Sequence, residues 1–382
     1  MKDAIEIRKR LEQAGRVVVK MGSRVLVEAN GRPHLTRIAR LVDEIAALHQ
    51  AGREVVVVSS GAVAAGMEAL GMKARPATLP DLQMAAAVGQ SRLMAQYDEF
   101  FAARGCTIGQ VLLTHADLKD RTRHLNARNT MMNLLRHRII PVVNENDVVA
   151  VDEIKFGDND MLAALVALLT QADLLLLLTT VNGLREPAEK TGRTRRVSFL
   201  SRVNAAELAH VRGAGSALST GGMASKLDAA QAAADGGVPV VIGDGRKPGT
   251  IPAIVAGQDV GTLIGTPAMG ATPLRGRKKW IAFFHRAQGE LIIDDGARRA
   301  LVEQGRSLLP IGVREVHGNF PKGALVNVRL ADGTLVARGL SDFDSASLGM
   351  IRGCKTSEIA GLLGSKDYEE VIHRDNLALS PT

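Results

Sequence analysis

The chain has 382 residues, with 48 lysines and arginines against 40 aspartates and glutamates and a formal net charge of +8 at pH 7. This length is sufficient for two or three domains with full hydrophobic cores. The two cysteines lie far apart without metal-site spacing, which argues against a disulfide framework or a zinc site and favours a reducing, cytoplasmic environment. The basic surplus forms no dense run, so it indicates RNA affinity only weakly.

Neither a secretory signal nor a membrane span is predicted. Charged residues interrupt every apolar stretch among the first fifteen residues, which we interpret as an N-terminal extension, 1–15. The most apolar run, Met161 to Leu178, contains Thr170, Gln171 and Asp173. This pattern favours a buried helix, a turn and a buried strand over a helix that crosses a membrane.

Residues 16–266 alternate short apolar strands with amphipathic helices. The predicted strands are Val17 to Val19, Val55 to Val58, Ile108 to Leu113, Ile139 to Val143, Leu174 to Leu178 and Val238 to Ile242. The helices between them are predicted near 35–48, 81–103, 125–137 and 227–234, with a further helix starting at Met161. Nearly continuous Val, Leu and Ile strands separated by helices predict an α/β domain, a three-layer sandwich with a mostly parallel central sheet.

The pattern changes after Thr266. A linker is predicted at 267–276, and a small, mainly β domain with a C-terminal tail at 277–382. Its predicted strands are Glu290 to Ile293, Val313 to Val316, Leu325 to Leu330 and Leu335 to Arg338, with one helical insert near 297–304.

Two clusters of acids and amides follow the strand that ends at Val143. They read Asn-Glu-Asn-Asp at 144–147 and Gly-Asp-Asn-Asp at 157–160. Carboxylates and amides buried without partners would cost several kcal/mol, about 2–7 for each neutral group, so these side chains must face water or a polar ligand. A solvated loop is the alternative interpretation.

Glycine-rich or polar loops follow other strands or open helices of the same domain. They contain Lys20-Met21-Gly22-Ser23, Ser59-Ser60-Gly61-Ala62, Thr179-Thr180 and the segment Thr220 to Lys226. In a parallel sheet such loops gather at one edge. Glycines and helix N-termini favour phosphate, and lysines stabilise a phosphoryl group in transit. No Walker A sequence or G-x-G-x-x-G motif after a strand is present, which disfavours a P-loop or dinucleotide-binding site.

The residues of these loops can also be interpreted without a catalytic or binding role. Gly22 and Gly61 are compatible with ordinary turns, and the TGGMASK segment with a flexible linker. Lys226 is compatible with a solvated position, although a cation in the first helical turn is disfavoured unless an anion compensates it. The loops contain no histidine, and His115, His124 and His137 are predicted to have surface or packing roles. This composition favours phosphoryl transfer to an acceptor that is already ionised, such as a carboxylate.

The loops together resemble the amino acid kinase family, and in particular its members that phosphorylate glutamate. The motifs, in order and spacing, are VVVKMGS, VVVVSSGAVAAG, VVNENDVV, IKFGDND, LLLLLTTVNGL and STGGMASK. The segments SLLPIGVREVHGNFPKG and LVARGLSDFDSASL in the C-terminal part are similar to a PUA domain. The resemblance implies ATP-dependent phosphorylation of the L-glutamate γ-carboxylate to L-glutamyl 5-phosphate, the first step of proline biosynthesis.

The resemblance also implies roles for individual residues. The catalytic positions are Lys20, Asp160 and Lys226. The glutamate-binding positions are Ser60, Asp147, Asp158 and Asn159. The nucleotide-binding positions are Lys20, Thr179, Thr180, Thr220, Gly221, Gly222, Met223, Ala224, Ser225 and Lys226. No metal site is expected in the protein itself, because magnesium would be carried on the ATP phosphates.

Chemistry supports two of these assignments independently, because Asp147 can pair with a substrate ammonium and the two lysines can offset the charge of two anions. Two positions depart from the family pattern: Arg24 replaces a usual Ser or Thr, and Thr180 replaces a common Asp. Thr180 therefore removes a carboxylate beside the nucleotide.

The resemblance further implies a cytoplasmic homo-oligomer, a dimer or tetramer, with proline as feedback inhibitor and product handover to glutamyl phosphate reductase. Two alternatives remain open at this point. One is a sibling kinase that acts on N-acetylglutamate, aspartate or carbamate. The other is an RNA-binding or RNA-modifying protein that uses the PUA-like domain; a nucleic acid partner is disfavoured because that part of the chain is barely basic and lacks an aromatic stacking platform.

Overall fold

A computed structural model describes residues 2–28, 31–150, 159–187, 194–203, 222–265, 287–364 and 368–380. The chain divides into two compact units, Met1–Thr272 and Pro273–Thr382. The predicted linker, 267–276, lies outside the described residues.

The first unit is built on an eight-stranded sheet. Its strands are β1 (Arg16–Met21), β2 (Glu54–Val58), β3 (Ile108–Leu113), β4 (Ile140–Glu145), β5 (Leu174–Thr179), β8 (Phe199–Leu200), β9 (Val240–Asp244) and β10 (Thr262–Ile264). The spatial order is β3-β4-β2-β1-β5-β9-β10-β8, and every neighbouring pair is parallel except β9 and β10. A separate antiparallel pair consists of β6 (Arg185–Pro187) and β7 (Thr194–Arg196).

Helices accompany this sheet. They are α1 (Lys2–Leu11), α2 (Ser23–Leu26), α3 (Leu35–Gln50), α4 (Ala62–Ala69), α5 (Leu79–Ala102), α6 (His115–Lys119), α7 (Arg121–Arg136), α8 (Asp160–Thr170), α9 (Met223–Asp235) and α10 (Thr250–Val255). The mostly parallel α/β architecture predicted for this part of the chain is confirmed. Helix α4 was not predicted as a separate element, because its Ala- and Gly-rich sequence has no apolar stripe.

The two faces of the sheet carry alternate residues of β1. Val17, Val19 and Met21 belong to one core cluster with residues of α3. Because side chains alternate along a strand, Val18 and Lys20 point to the opposite face. Helix α8 packs against β1 and against α9, and almost every residue of α8 is buried. Lys20 therefore enters the layer formed by these two helices.

Residues predicted as an N-terminal extension form α1, which packs on the rest of the first unit. Ile7 and Leu11 join its core. The buried Arg8 donates from Nη1 to the carbonyl of Gln258 at 2.7 Å and from Nη2 to Asp259 at 2.9 Å. These contacts stabilise the helix on residues that are about 250 positions away in the sequence.

The second unit is mainly β. Its five-stranded sheet has the order β12-β11-β13-β14-β15, with β11 (Gly289–Ile293), β12 (Val313–His317), β13 (Leu325–Arg329), β14 (Leu335–Leu340) and β15 (Leu377–Leu379). Its described residues form three α-helices: α11 (Asp295–Val302), α12 (Ser345–Ile351) and α13 (Ile359–Leu363). The unit has its own core cluster, which includes Leu291, Val326 and Ile372. The predicted small β domain is confirmed; β15 was not predicted.

Among the described residues, no helix combines the length and apolar character that crossing a membrane requires.

Candidate active site

Lys20, Asp160 and Lys226 form a buried group of charges in the first unit. Lys20 Nζ lies 2.7 Å from Asp160 Oδ1, and Lys226 Nζ lies 2.8 Å from Asp160 Oδ2. The three side chains are 2%, 1% and 8% exposed for Lys20, Asp160 and Lys226. One carboxylate thus bridges two ammonium groups, and the three formal charges sum to +1. Two ammonium groups that one carboxylate holds close together can contact the oxygens of a phosphate, so this arrangement favours an anionic ligand.

Local sequence explains where these residues lie. Lys20 is the penultimate residue of β1, and Asp160 is the first residue of α8, where a negative charge is stabilised by the helix dipole. Lys226 is the fourth residue of α9, which begins after the extended N-cap Gly222. A lysine is disfavoured near a helix N-terminus. The ion pair with Asp160 offsets the unfavourable interaction between the Lys226 charge and the dipole of α9.

Asn159 connects three parts of the site. Its Nδ2 donates to the carbonyl of Ser59 and to Asn144 Oδ1, both at 2.8 Å. Asn144 Nδ2 in turn donates to Gln90 Oε1 at 2.7 Å. Asn159 and Asn144 are buried. Both donor hydrogens of Asn159 therefore fix the loop after β2 and the end of β4; the predicted contact with glutamate stays a prediction.

Ser60 lies two residues before α4, in the loop that Asn159 anchors. Its side chain is fully buried, and Oγ has no hydrogen-bond partner among the described residues. Gly61, the N-cap of α4, has φ of 101°, a conformation that favours glycine. The unpaired hydroxyl and the N-terminus of an eight-residue helix together provide donors for a carboxylate.

Asp147 follows β4 and is buried at 5% exposure. Gln83 Nε2 donates to its backbone carbonyl at 3.0 Å, while Oδ1 has no hydrogen-bond partner within the described parts of the chain. Burial and the negative charge of Glu145 raise the pKa of Asp147 to about 7, and the positive charge of Arg75 opposes the shift. A ligand ammonium would compensate the buried carboxylate.

The residues predicted to bind the nucleotide lie at the end of β5 and at the start of α9. Thr179 ends β5, and its carbonyl accepts from Gly245 N at 2.9 Å; the half-buried Thr180 follows. Gly222, Met223, Ala224 and Ser225 form the N-cap and first turn of α9, where Ser225 Oγ donates to the carbonyl of Gly222 at 2.9 Å. Asp158, Thr220 and Gly221 lie outside the described residues.

Sequence reasoning assigned no role to several buried polar residues here. Asn144 and Glu145 belong to the Asn-Glu-Asn-Asp motif itself, so their position after a parallel strand was an available signal. Asp244 ends β9 beside Thr179, and Arg246 binds it through Nε and Nη2 at 3.0 and 2.9 Å. Burial would raise the pKa of Asp244, but hydrogen bonds from Arg246 hold it below its usual value.

A mostly parallel α/β sheet with a buried Lys-Asp-Lys group at the carboxyl end of a central strand is suited to phosphoryl transfer. Residues 15–244 match the amino acid kinase family, and residues 289–363 match the PUA domain. The chain belongs to the amino acid kinase family.

Several relatives match this chain over nearly its whole length and over nearly their own. Glutamate 5-kinase of Moorella thermoacetica is 46% identical over 373 residues, which cover 97% of this chain and 98% of the relative. Glutamate 5-kinase of Trichlorobacter lovleyi is 47% identical over 370 residues, and that of Geobacter metallireducens is 48% identical over 371, each with the same coverage of 97% and 98%. The similarity therefore extends through the catalytic unit and the PUA-matching unit.

Proposed function

We propose that the protein transfers the γ-phosphoryl group of ATP to the γ-carboxylate of L-glutamate, forming L-glutamyl 5-phosphate and ADP. The observation that carries this proposal is the bridged group Lys20, Asp160 and Lys226, whose two neighbouring ammonium groups suit the phosphates in the reaction. The names of relatives that match 97% of the chain support the same activity. Because the similarity includes the PUA-matching unit, it supports the kinase over the RNA-binding alternative.

The reaction requires little proton chemistry. The γ-carboxylate is ionised at neutral pH, so its oxygen attacks the γ-phosphorus directly while the bond to the β–γ bridging oxygen breaks and ADP leaves. Lys20 and Lys226 would offset the charge on the transferred group, and Asp160 would keep the two ammonium groups in place. Magnesium would enter with ATP and neutralise its phosphates.

The acceptor is the part of the proposal that Asp147 and Ser60 support. Glutamate carries an ammonium that can pair with the buried Asp147 carboxylate, and carboxylates that can accept from Ser60 Oγ. N-acetylglutamate has no ammonium and would leave the Asp147 carboxylate buried without compensation. The proposed nucleotide contacts are Thr179, Thr180 and the stretch from Thr220 to Lys226.

Other proposals do not depend on the geometry of the site. These are feedback inhibition by proline, a cytoplasmic location, assembly into a dimer or tetramer, and handover of the product to glutamyl phosphate reductase. The domain boundaries at 16–266 and 277–382 belong to the same group of proposals.

The decisive test measures ADP formation together with trapping of the acyl phosphate by hydroxylamine. Glutamate, N-acetylglutamate, aspartate and carbamate should be compared as acceptors, and only glutamate should give a hydroxamate at a useful rate. Lys226→Ala should reduce the rate of product formation by orders of magnitude, whereas Lys9→Ala, which changes an exposed lysine of α1, should retain it. Turnover of N-acetylglutamate but not glutamate would overturn the proposed acceptor.

A further inference from the structure

Helix α5 carries three polar side chains at intervals of seven residues, Gln83, Gln90 and Tyr97. Seven residues make nearly two helical turns, so these side chains lie along one face of the helix, with a drift of about 20° per interval. Each of them forms a hydrogen bond with a segment that carries a proposed glutamate-binding residue.

Tyr97 contacts the loop that carries Ser60. Its Oη lies 2.8 Å from Ser59 Oγ, and both side chains are buried. Ser59 Oγ donates its one hydrogen to the carbonyl of Ser60 at 3.1 Å, so the phenol must be the donor to Ser59. Burial raises the pKa of Tyr97, against the opposing effect of this hydrogen bond, so the phenol keeps its proton at neutral pH. A directed chain of hydrogen bonds therefore runs from α5 to the backbone of Ser60.

The backbone groups of Ser59 are bonded as well. Its N–H donates to the carbonyl of Val143 at 2.8 Å, and its carbonyl accepts from Asn159 Nδ2 at 2.8 Å. Ser59 is thus held by α5, by β4 and by the N-cap residue of α8. The neighbouring Ser60 Oγ has no hydrogen-bond partner in the parts of the chain that the structure describes. This arrangement fixes the backbone beside Ser60 and leaves its hydroxyl available to a ligand.

Gln90 holds the end of β4 in the same way. Its Oε1 accepts from Asn144 Nδ2 at 2.7 Å, and Asn144 Oδ1 accepts from Asn159 Nδ2 at 2.8 Å. The chains of hydrogen bonds that start at Tyr97 and at Gln90 therefore both reach Asn159. Helix α5 is connected to the start of α8 by two separate routes.

Gln83 holds the loop after β4. Its Nε2 donates to the carbonyls of Asp147 and of the following residue, at 3.0 and 3.2 Å. Both hydrogens of this amide are directed at the backbone of the loop, so the Asp147 carboxylate remains free to contact a ligand.

The position of α5 itself is fixed by backbone contacts with α4. A Cβ at Gly89 would lie 1.8 Å from the carbonyl oxygen of Ala62, and a Cβ at Gly66 would lie 1.7 Å from the carbonyl oxygen of Ala85. Glycines at both crossings bring the two helices into direct contact. The polar face of α5 therefore has a defined distance from the start of α4.

We propose that the face of α5 formed by Gln83, Gln90 and Tyr97 positions the three segments of the glutamate site relative to one another. This inference rests on the proposed function, since it assumes that Asp147 and Ser60 bind the acceptor. Glutamate has its ammonium and its carboxylates at spacings that its short carbon chain limits, so the groups that bind them must be held at matching spacings. A site that is ordered before binding loses less free energy when the substrate enters.

Tyr97→Phe tests this role with the loss of one oxygen atom. The variant keeps the ring, whose centroid lies 6.4 Å from that of Phe101. The loop of Ser59 loses one attachment, so the glutamate KM should rise about three- to tenfold, as expected for a single hydrogen bond. The kcat at saturating glutamate and the KM for ATP should change less than about twofold. Tyr368→Phe makes the same change at the other tyrosine of the chain, in the second unit, and should leave all three constants unchanged.

Gln90→Met tests the second attachment. Methionine has a similar length and no amide oxygen, so Asn144 loses its acceptor and the glutamate KM should again rise about three- to tenfold. Gln50→Met is the matched control. The exposed Gln50 also forms one hydrogen bond, to the carbonyl of Arg104, but it lies before the start of β2, at the opposite end of that strand from the loop that contains Ser59. This control should keep the parent KM.

A double-mutant cycle tests whether Tyr97 acts through Ser59. Ser59→Ala removes the hydroxyl that accepts from the phenol and should also raise the glutamate KM about three- to tenfold. In that background, the additional change Tyr97→Phe should alter the KM less than about twofold, because both substitutions remove the same hydrogen bond. Independent packing damage at the two positions would instead multiply their effects on KM.

The outcomes separate this inference from the proposed function. If the parent protein forms no hydroxamate with glutamate, the proposed function is wrong and the role of α5 falls with it. If the parent protein is active, and folded Tyr97→Phe and Gln90→Met proteins retain its glutamate KM, only the role of α5 is overturned. An equal change in kcat and in the KM for ATP would overturn it too, because that result indicates general damage. Circular dichroism checks folding; should Tyr97→Phe not fold, Gln90→Met, which changes a half-buried side chain, decides the question.

Discussion

Asp160 accepts from Lys226 at one carboxylate oxygen and contacts Lys20 at the other, at 2.8 and 2.7 Å. The pair Asp160 and Lys226 joins the N-terminal turns of two helices that are 66 residues apart in the sequence. The first residue of α8 thus orients a cation of α9 and a cation of β1. Removing this carboxylate would leave two buried ammonium groups facing each other.

Asp160→Asn is predicted to impair both catalysis and folding. The variant loses the bridging charge, so kcat should fall by orders of magnitude, and the free energy of unfolding should fall by about 3–5 kcal/mol because a buried pair is broken on one side. Steady-state kinetics and urea unfolding measure the two effects. Asp43→Asn is the matched control, because it breaks an ion pair with Arg104 in which the aspartate is 57% exposed. That change should cost less than about 1 kcal/mol and leave kcat intact.

Lys226→Ala and Asp147→Ala are predicted to affect different kinetic constants. Lys226 belongs to the group proposed to stabilise charge on the transferred phosphoryl group, so its loss should lower kcat by orders of magnitude with little change in the glutamate KM. Asp147 is proposed to bind the ammonium, so its loss should mainly raise that KM. Measurement of kcat and the glutamate KM in both variants tests whether Lys226 acts in catalysis and Asp147 in glutamate binding. Equal effects on kcat and KM in the two proteins would contradict it.

Asp147 is predicted to make the stability of the unliganded protein depend on pH. Its pKa is about 7 in the folded protein and about 3.9 in an unfolded chain, so the folded state binds more protons between these values. Stability should therefore fall as the pH rises from 4 through 7, by at most about 4 kcal/mol from this group. Comparison of the unfolding free energies of the parent protein and Asp147→Asn over this range isolates the effect. The difference between the two proteins should vary with pH; a constant difference would refute the assignment.

Gly89→Ala is predicted to disturb the glutamate site through helix packing. A Cβ at Gly89 would lie 1.8 Å from the carbonyl oxygen of Ala62, in the first turn of α4 directly after Ser60 and Gly61. The two helices would have to separate, which should cost about 1–3 kcal/mol or more and raise the glutamate KM.

Gly349→Ala is the matched control for this substitution. Gly349 lies in α12, and a Cβ there would meet no atom within 4 Å. Alanine in a helix is favoured over glycine by about 0.5–1 kcal/mol, so this variant should be slightly more stable and fully active. Thermal unfolding and the glutamate KM, measured on both proteins, provide the comparison. A Gly89→Ala protein as stable and active as the control would show that α4 and α5 can move apart freely.

Local pattern predicted most of the secondary structure of the first unit. The strand Ile108 to Leu113 was predicted with the observed bounds, and β1, β2, β5 and α3 within two residues at each end. Apolar periodicity is a property of neighbouring residues, and the sequence displays it directly. Helix α4 was not predicted, because its small residues allow a close contact with α5 and a local sequence pattern does not indicate such a contact.

The sequence by itself determined the longer elements, the parallel sheet and the polar loops that follow its strands, because strand and helix periodicities and turn residues act over short distances. Only the tertiary structure decided which loop residues meet. It placed Asp160 between Lys20 and Lys226, committed the amide of Asn159 to Ser59 and Asn144, and brought His115 to Glu145. These contacts depend on strand order and on how closely helices pack, and both are set by the burial of the whole core.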